Sequence, residues 1–215
     1  MIFVAEIGSN HKGIKSLAFE MVRQAKMAGA DIAKFQLGHA GPEDKVRYPP
    51  MEWAPELKDW CDFHDIEFMA SIFSGEALDL AESIGQERYK IAYTTWLKHK
   101  PCSDILDTGK EVFASGAANS DNIRGLDCVP CYPTYPRDAK IRRTFGDGPG
   151  EIYGYSSHVH GIEDALIAIA RGAQYIEKHV TLDKTEESIR DNSFALSFDE
   201  FAEMARIGRG MARLV

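Results

Sequence analysis

Long apolar runs are missing from this 215-residue chain. Its most apolar later stretch, Ala165 to Ala170, is far too short to span a bilayer. A basic leader with a long apolar core is missing too. The chain opens on the strand-like run Ile2-Phe3-Val4-Ala5, so no targeting segment is expected. Basic charge is in the minority, with 25 Lys and Arg against 33 Asp and Glu, a net of −8. That balance argues against nucleic acid or an anionic membrane as partner, while leaving room for a few lysines in a local pocket. Cysteine is sparse: Cys61, Cys102, Cys128 and Cys131. The CxxC formed by Cys128 and Cys131 has no second pair or nearby histidine to complete a zinc site, so buried free thiols and a reducing cytoplasm are expected. A dinucleotide fingerprint is absent as well, because Gly8-Ser9-Asn10-His11-Lys12-Gly13 is not GxGxxG. No low-complexity segment or linker interrupts the chain.

Two alternating periodicities are present. Eight β-rich runs stand out: Ile2–Ile7, Ile32–Leu37, Ile66–Ile72, Tyr89–Thr94, Glu111–Ser115, Leu126–Tyr132, Ile152–Ser156 and Tyr175–Val180. Helical patterns lie between them at Ser16–Ala28, Pro55–Phe63, Gly75–Ile84 and Ile162–Arg171. In the first, Leu17, Met21, Ala25 and Ala28 share a face, and Gly29 supplies the stop. The segments after the fourth, fifth and sixth runs are weaker as helices. Strands joined through helices pair in parallel by right-handed crossovers. Eight such units predict an α/β fold, a (βα)8 TIM barrel forming a single domain over residues 1–215. The length is short for that fold, whose usual span is roughly 250 residues. The longest irregular stretch, Gly38 to Pro50, carries His39, Gly41, Pro42, Pro49 and Pro50 and belongs at the functional face.

A barrel holds its active site at the C-terminal ends of its strands. Glu6, Asn10 and His11 follow the first strand, and Lys34 and Gln36 lie on the second. Ser71 is on the third, Lys90, Thr94 and Thr95 go with the fourth, and Ser115 ends the fifth. Tyr132 and Thr134 follow the sixth, Ser156, Ser157 and His158 end the seventh, and Glu177, Lys178 and His179 end the eighth. A lysine inside an apolar strand needs an anionic partner, which singles out Lys34 and Lys90. Plainer readings stand beside these. Lys34 and Lys90 could lie at strand edges, Lys34 could simply pair with Glu6, the serines could cap helices, and the two histidines could be core residues satisfied by Glu177 and Asp191. Two histidines 21 residues apart, at matching heights on neighbouring strands, favour a shared metal.

These residues also carry a family likeness. Residues Val4 to Gly13 resemble the opening AEIGxNHxG motif of the sialic acid synthase family. Ala28 to Gln36 resembles its AGADxxKFQ, and Ile66 to Phe73 resembles its third strand, which ends STPF. Tyr89-Lys90-Ile91 is similar to the fourth, and Cys128 with Tyr132-Pro133-Thr134 to C-x3-YPT. Gly154 to His158 resembles GYSDH, and Ile176 to Asp183 resembles IEKHFTLD. Asp191, Leu196 and Asp199-Glu200-Phe201 match the tail of the family's GPDH–SLxPDEF segment, so the likeness runs in order from residue 4 to about 201.

The resemblance implies condensation of phosphoenolpyruvate with an amino-sugar aldehyde. His158 and His179 would hold manganese or magnesium, which polarises the aldehyde. Lys34, Lys90, Ser71 and Ser156 would bind phosphoenolpyruvate, with Asn10, His11, Gln36, Ser115 and Tyr132 as further substrate contacts. Glu6 would serve water or proton transfer, and Asp191 would place the water or the metal. A homodimer is the family's habit. Several positions depart from the pattern: Ala114-Ser115-Gly116 for STG, Thr94-Thr95 for an acidic residue, Pro130 for Asn, Ser157 for Asp, and Ile189-Arg190-Asp191-Asn192 for GPDH. The usual C-terminal antifreeze-like domain is not expected after Val215. Two other functions stay open: a metal- or Schiff-base-dependent aldolase using Lys90 or Lys178, and a non-catalytic barrel that partners a complete synthase.

Overall fold

The computed structural model describes residues 1–38, 49–98 and 102–214. Eight strands pair in parallel in chain order, and β1 closes on β8. They are β1 (Ile2–Glu6), β2 (Ile32–Leu37), β3 (Glu67–Ile72), β4 (Tyr89–Ile91), β5 (Val112–Ser115), β6 (Ile123–Asp127), β7 (Gly154–Ser157) and β8 (Tyr175–Thr181). A two-residue strand, β9 (Leu196–Ser197), pairs beside the end of β8. The expected barrel is therefore present. No helix among the described residues is long and apolar enough to cross a membrane.

The helices are α1 (Lys15–Met27), α2 (Ala54–Phe63), α3 (Gly75–Ser83), α4 (Tyr93–Lys98), α5 (Cys102–Asp107), α6 (Glu163–Ala170) and α7 (Phe198–Met211). The four helices read from periodicity lie within about one residue of α1, α2, α3 and α6. The buried stripe of α1 is Ala18, Met21, Val22 and Ala25, rotated slightly from the expected face, because Leu17 is only half-buried. The last helix begins with a reciprocal cap between Ser197 and Glu200, which satisfies two otherwise orphaned N–H groups.

Three expectations need correction. The fourth strand stops at Ile91 rather than Thr94, because Tyr93 already opens α4. The sixth is Ile123–Asp127, not Leu126–Tyr132. Arg124 and Gly125 break its apolar alternation in the sequence, yet each has a structural task. Arg124 reaches Glu111 and Asp147 at the barrel floor. Gly125 lies against the preceding loop, and a Cβ there would stand 2.2 Å from the Ala117 carbonyl oxygen. Finally, β5–β6 and β6–β7 are joined without an α-helix, by residues 116–122 and 128–153. Of the irregular stretch Gly38 to Pro50, residues 39–48 lie outside the described residues.

Where those helices would sit, a single side chain gathers the loops. Asn119 is buried, donates through Nδ2 to the Gly146 and Gly148 carbonyls at 3.0 and 3.3 Å, and accepts from Gly125 N–H at 2.8 Å. Its backbone also bonds Glu151 and Gly150. Asn119→Ala is expected to leave one buried and two half-buried polar groups short of partners and to cost about 2 kcal/mol of stability. Urea unfolding checks this, and a change under about 0.5 kcal/mol would mean that the loops hold themselves in place.

Inside the barrel, Val4, Ile32, Met69, Phe113, Leu126 and Tyr175 form an apolar plug. Below it, Arg88 bridges Glu67 and Glu111, and its guanidinium lies 5.7 Å from the Phe113 ring centre. Strand side chains alternate, so the residues two places further along β2, β3 and β8 stand directly above the plug. These are Lys34, Ser71 and Glu177.

Candidate active site

Above the plug is a cavity of about 280 Å³ that opens at the C-terminal ends of the strands. Its lining includes Glu6, Lys34, Gln36, Ser71, Lys90, Ser115, Tyr132, Ser156, His158, His179 and Asp191. Eleven of the thirteen site residues expected from the sequence thus converge on one space. Register explains part of this. Glu6 lies level with Lys34 on one side and His179 on the other, Ser71 level with Lys90, and Ser156 level with Glu177.

Asn10 and His11 are not among the residues that line the cavity. Both are buried beneath the β1–α1 turn. Asn10 donates to the Val180 carbonyl at 2.8 Å, and His11 Nδ1 accepts from Gly13 N–H at 3.0 Å. Burial pushes the His11 imidazole down to about 4, so it is neutral. The turn begins at Gly8, with φ +50°, where a Cβ would come within 3.0 Å of Glu6 Oε1. That left-handed step throws the following side chains out of strand phase and away from the cavity.

The deep end of the cavity is a charge cluster. Lys34 contacts Glu6, lies 3.6 Å from Glu177 and donates to Ser71 Oγ at 3.2 Å. Burial would push its ammonium down, but Glu177 and Glu6 together hold it above its ordinary value. Glu177 accepts from Ser156 Oγ at 3.0 Å and from the Tyr175 hydroxyl at 2.6 Å. Although burial opposes it, these donors with Lys34 and Lys90 hold Glu177 down at about 2. Glu6 is left with the weaker share. Burial outweighs Lys34 and pushes Glu6 up to about 7, with Gln36 donating to it at 2.9 Å. Lys90 donates to Ser115 Oγ at 2.9 Å and to the Ile91 carbonyl at 3.2 Å. Burial pushes its ammonium down, and Glu177 opposes this only in part. An anion placed between the two lysines would meet both ammonium groups and three serine hydroxyls.

Nearer the mouth are the histidines. Their ring centres are 5.6 Å apart, and Phe194 packs edgewise on both. His158 Nδ1 lies 3.0 Å from the Val129 carbonyl, which fixes the proton on that nitrogen and leaves Nε2 as an acceptor. His179 Nδ1 is buried with no hydrogen-bond partner among the described residues. Burial pushes His179 down to about 3, and also lowers His158, so both rings are neutral. Burial would raise Asp191, but the Arg190 guanidinium, its Nε 2.7 Å from Asp191 Oδ1, helps hold the carboxyl below its ordinary value. The plainer reading of histidines bonded to Glu177 and Asp191 does not hold, since neither ring makes that bond. Two neutral imidazoles, one with an orphaned buried nitrogen, beside an ionised carboxylate, suit a divalent cation. Among the described residues, no group of three or more His, Cys, Asp or Glu stands arranged around such an ion, so the protein would supply few of its ligands.

Residues to which the sequence alone assigns no role in the site also line the cavity. Glu177 and Cys128 stand two places from inward-facing His179 and Leu126, so strand alternation alone points to both. Cys128 touches Ser115 and Ser156, and burial pushes its thiol up to about 11. It is a site residue rather than a core thiol, while Cys131 is exposed and only Cys61 and Cys102 are buried. Tyr93, Thr94 and Arg190 complete the wall, with the Arg190 guanidinium 4.1 Å above the Tyr132 ring. Of the departures, Ser115 does serve the cavity. Ser157 and Asn192 turn away, to Asp164 and to the carbonyls of Asp183 and Glu186.

A family model described as the NeuB family matches residues 45–126 and 117–214. The chain belongs to the NeuB family. It is 30% identical over 256 aligned residues to N-acetylneuraminate-9-phosphate synthase of Mus musculus, covering 98% of this chain and 70% of that protein. It is 31% identical to N,N'-diacetyllegionaminic acid synthase of Legionella pneumophila, covering 85% of this chain and 64% of the relative. Among solved structures, N-acetylneuraminic acid (sialic acid) synthetase from Leptospira borgpetersenii, in complex with citrate, superposes with a TM-score of 0.85 at 26% identity. That match covers 99% of this chain and 84% of the other. The mouse alignment is longer than this NeuB-family chain, so the relative carries extra segments inside the matched region.

Proposed function

We propose that this NeuB-family chain condenses phosphoenolpyruvate with an amino-sugar or related aldehyde to give a nonulosonic, sialic-type acid. The observation that carries the reading is one cavity with a deep anion site, Lys34 and Lys90 with three serines, beneath a pair of neutral histidines and an ionised Asp191. Phosphoenolpyruvate is a compact trianion. Its phosphate and carboxylate match Lys34, Lys90, Ser71, Ser115 and Ser156.

In the reaction, C3 of the enol attacks the aldehyde carbon and C2 becomes an oxocarbenium-like centre. Water adds to C2, and phosphate leaves by cleavage of the C2–O bond. The aldehyde oxygen gains a proton and the adding water loses one; its second proton leaves with the phosphate as the C2 carbonyl forms. Glu6, with an ordinary carboxylate range lifted to about 7, can hold or release a proton near neutrality beside that centre. Glu177 stays ionised and keeps Lys34 in place. Asp191 accepts hydrogen bonds at the mouth, where the sugar must lie. His158 and His179 would hold the divalent ion, manganese or magnesium, whose chemistry is to polarise the aldehyde as a Lewis acid.

The test is phosphate release from phosphoenolpyruvate with and without candidate sugars. Release that requires the sugar is expected, and release without any sugar, or none with any, removes the reading. Lys90→Ala should weaken phosphoenolpyruvate binding by about 2–3 kcal/mol, since it deletes a charge-assisted contact in a desolvated site. Equal affinity by calorimetry would take Lys90 out of the site. A Schiff-base aldolase is the second reading, favoured only by the depressed Lys90 ammonium. Lys178 cannot serve it, because its side chain lies outside the cavity. Borohydride trapping with a keto acid distinguishes the two.

A further inference from the structure

Along β8, Glu177 and His179 face the cavity, so Lys178 between them points outward into the layer beneath α6. It is 1% exposed. All three of its N–H groups are used: Ser157 Oγ at 3.1 Å, the Val159 carbonyl at 2.6 Å and Asp164 Oδ1 at 3.1 Å. Ser157 also donates to Asp164 Oδ2, and Val159 N–H donates to Ser157 Oγ at 3.1 Å. The residue between Ser157 and Val159 is His158. Every one of these contacts therefore lands on a chain neighbour of His158 or on the carboxylate that holds that neighbour.

We propose that Lys178, Asp164 and Ser157 form a positioning clamp that sets the distance between His158 on β7 and His179 on β8, and with it the affinity of the site for its divalent ion. The proposal rests on the metal role given above to the two histidines. None of the three residues lines the cavity, so none is a catalytic residue. A buried ammonium–carboxylate pair in the wall of a barrel is not needed for stability, since apolar residues of similar volume fill such a layer as well or better. What it does supply is direction. Lys178 is one residue from His179, and its three bonds tie the end of β8 to both flanks of His158. Ser157 Oγ and Asp164 Oδ1 lie at the same 3.1 Å from the ammonium. A carboxylate at position 157, where the family pattern has Asp, would therefore reach the same partner as the one that α6 now delivers.

The test measures manganese binding through the loss of the free-ion electron paramagnetic resonance signal, with circular dichroism to confirm folding. Lys178→Met and Asp164→Asn should each stay folded and weaken manganese binding at least tenfold. The double change Ser157→Asp with Asp164→Asn moves the carboxylate from the helix to the strand end, and should recover affinity to within about threefold of the parent. Folded Lys178→Met or Asp164→Asn with parental affinity would overturn the clamp, as would a double variant no tighter than Asp164→Asn alone. Should Lys178→Met fail to fold, the Asp164→Asn pair decides. Failure of the metal reading itself shows separately: the unaltered chain would bind no manganese, or His179→Ala would bind it equally well, and the clamp would then fall with that reading. Sugar-dependent phosphate release in the unaltered chain reports on the condensation reading independently of both.

Discussion

Replacing Lys34 with methionine is expected to lower folding stability by about 3–5 kcal/mol, although the side chain fills nearly the same volume. Lys34 stands between two carboxylates, Glu6 and Glu177, each almost fully buried. Without its ammonium, Glu177 remains an anion in a low-dielectric setting, with only Lys90 and two hydroxyls near it. The lost attraction is smaller than the exposed desolvation penalty, and that penalty is what the variant would suffer. A second change, Glu177→Gln, removes the stranded charge and should restore about half of the loss. Chemical denaturation of the single and double variants measures both. A loss below about 1 kcal/mol in the single variant would mean that water reaches the cluster and screens it.

Removal of divalent ions is expected to abolish sugar-dependent phosphate release, and manganese or magnesium to restore it. The electrostatic stabilisation of a developing alkoxide is worth several kcal/mol, and among the described residues Arg190 is already engaged with Asp191 while Lys34 and Lys90 are engaged deeper in the cavity. The fold should survive chelation, because His158 and His179 pack on Phe194 and need no ion to stay in place. His179→Ala should likewise lose manganese binding without unfolding. Undiminished turnover in chelated protein would cancel the metal role and move the aldolase or binding-barrel readings ahead.

The sequence made most of this site legible for a physical reason. Polar residues at strand ends in a barrel have few places to go, and Lys34, Lys90, Ser71, Ser156, His158 and His179 all went there. Asn10 and His11 stand off the described lining because strand phase ends at Gly8, whose positive φ no linear pattern records. Glu177 was legible as a strand-end residue and a possible histidine partner, but its place beside Lys34 depends on a contact across the barrel that no linear pattern records. The sixth strand was misplaced because alternation is a guide to burial, and Arg124 with Gly125 obeys floor chemistry and close approach instead. The short length of the chain for its fold was plain, but it did not say that the β5–β6 and β6–β7 connections would carry no α-helix. Nothing in composition said that Asn119 would stand in for the missing helices, since its partners are backbone groups with no sequence signature.

The apolar plug has a kinetic meaning. Val4, Ile32, Met69, Phe113, Leu126 and Tyr175 stopper the barrel from below, and the Arg88 bridge seals what lies under them. Among the described residues, the cavity is then closed at its floor and open toward the strand ends. The anion site lies at its far end, and the histidines lie between that site and the opening. On the proposed function, a sugar aldehyde seated at the histidines would bar the way to Lys34 and Lys90, so phosphoenolpyruvate would have to enter first. The released phosphate would then wait behind the new sugar acid until that product departs. Such an order would follow from the queue that a closed floor imposes, without any change of shape.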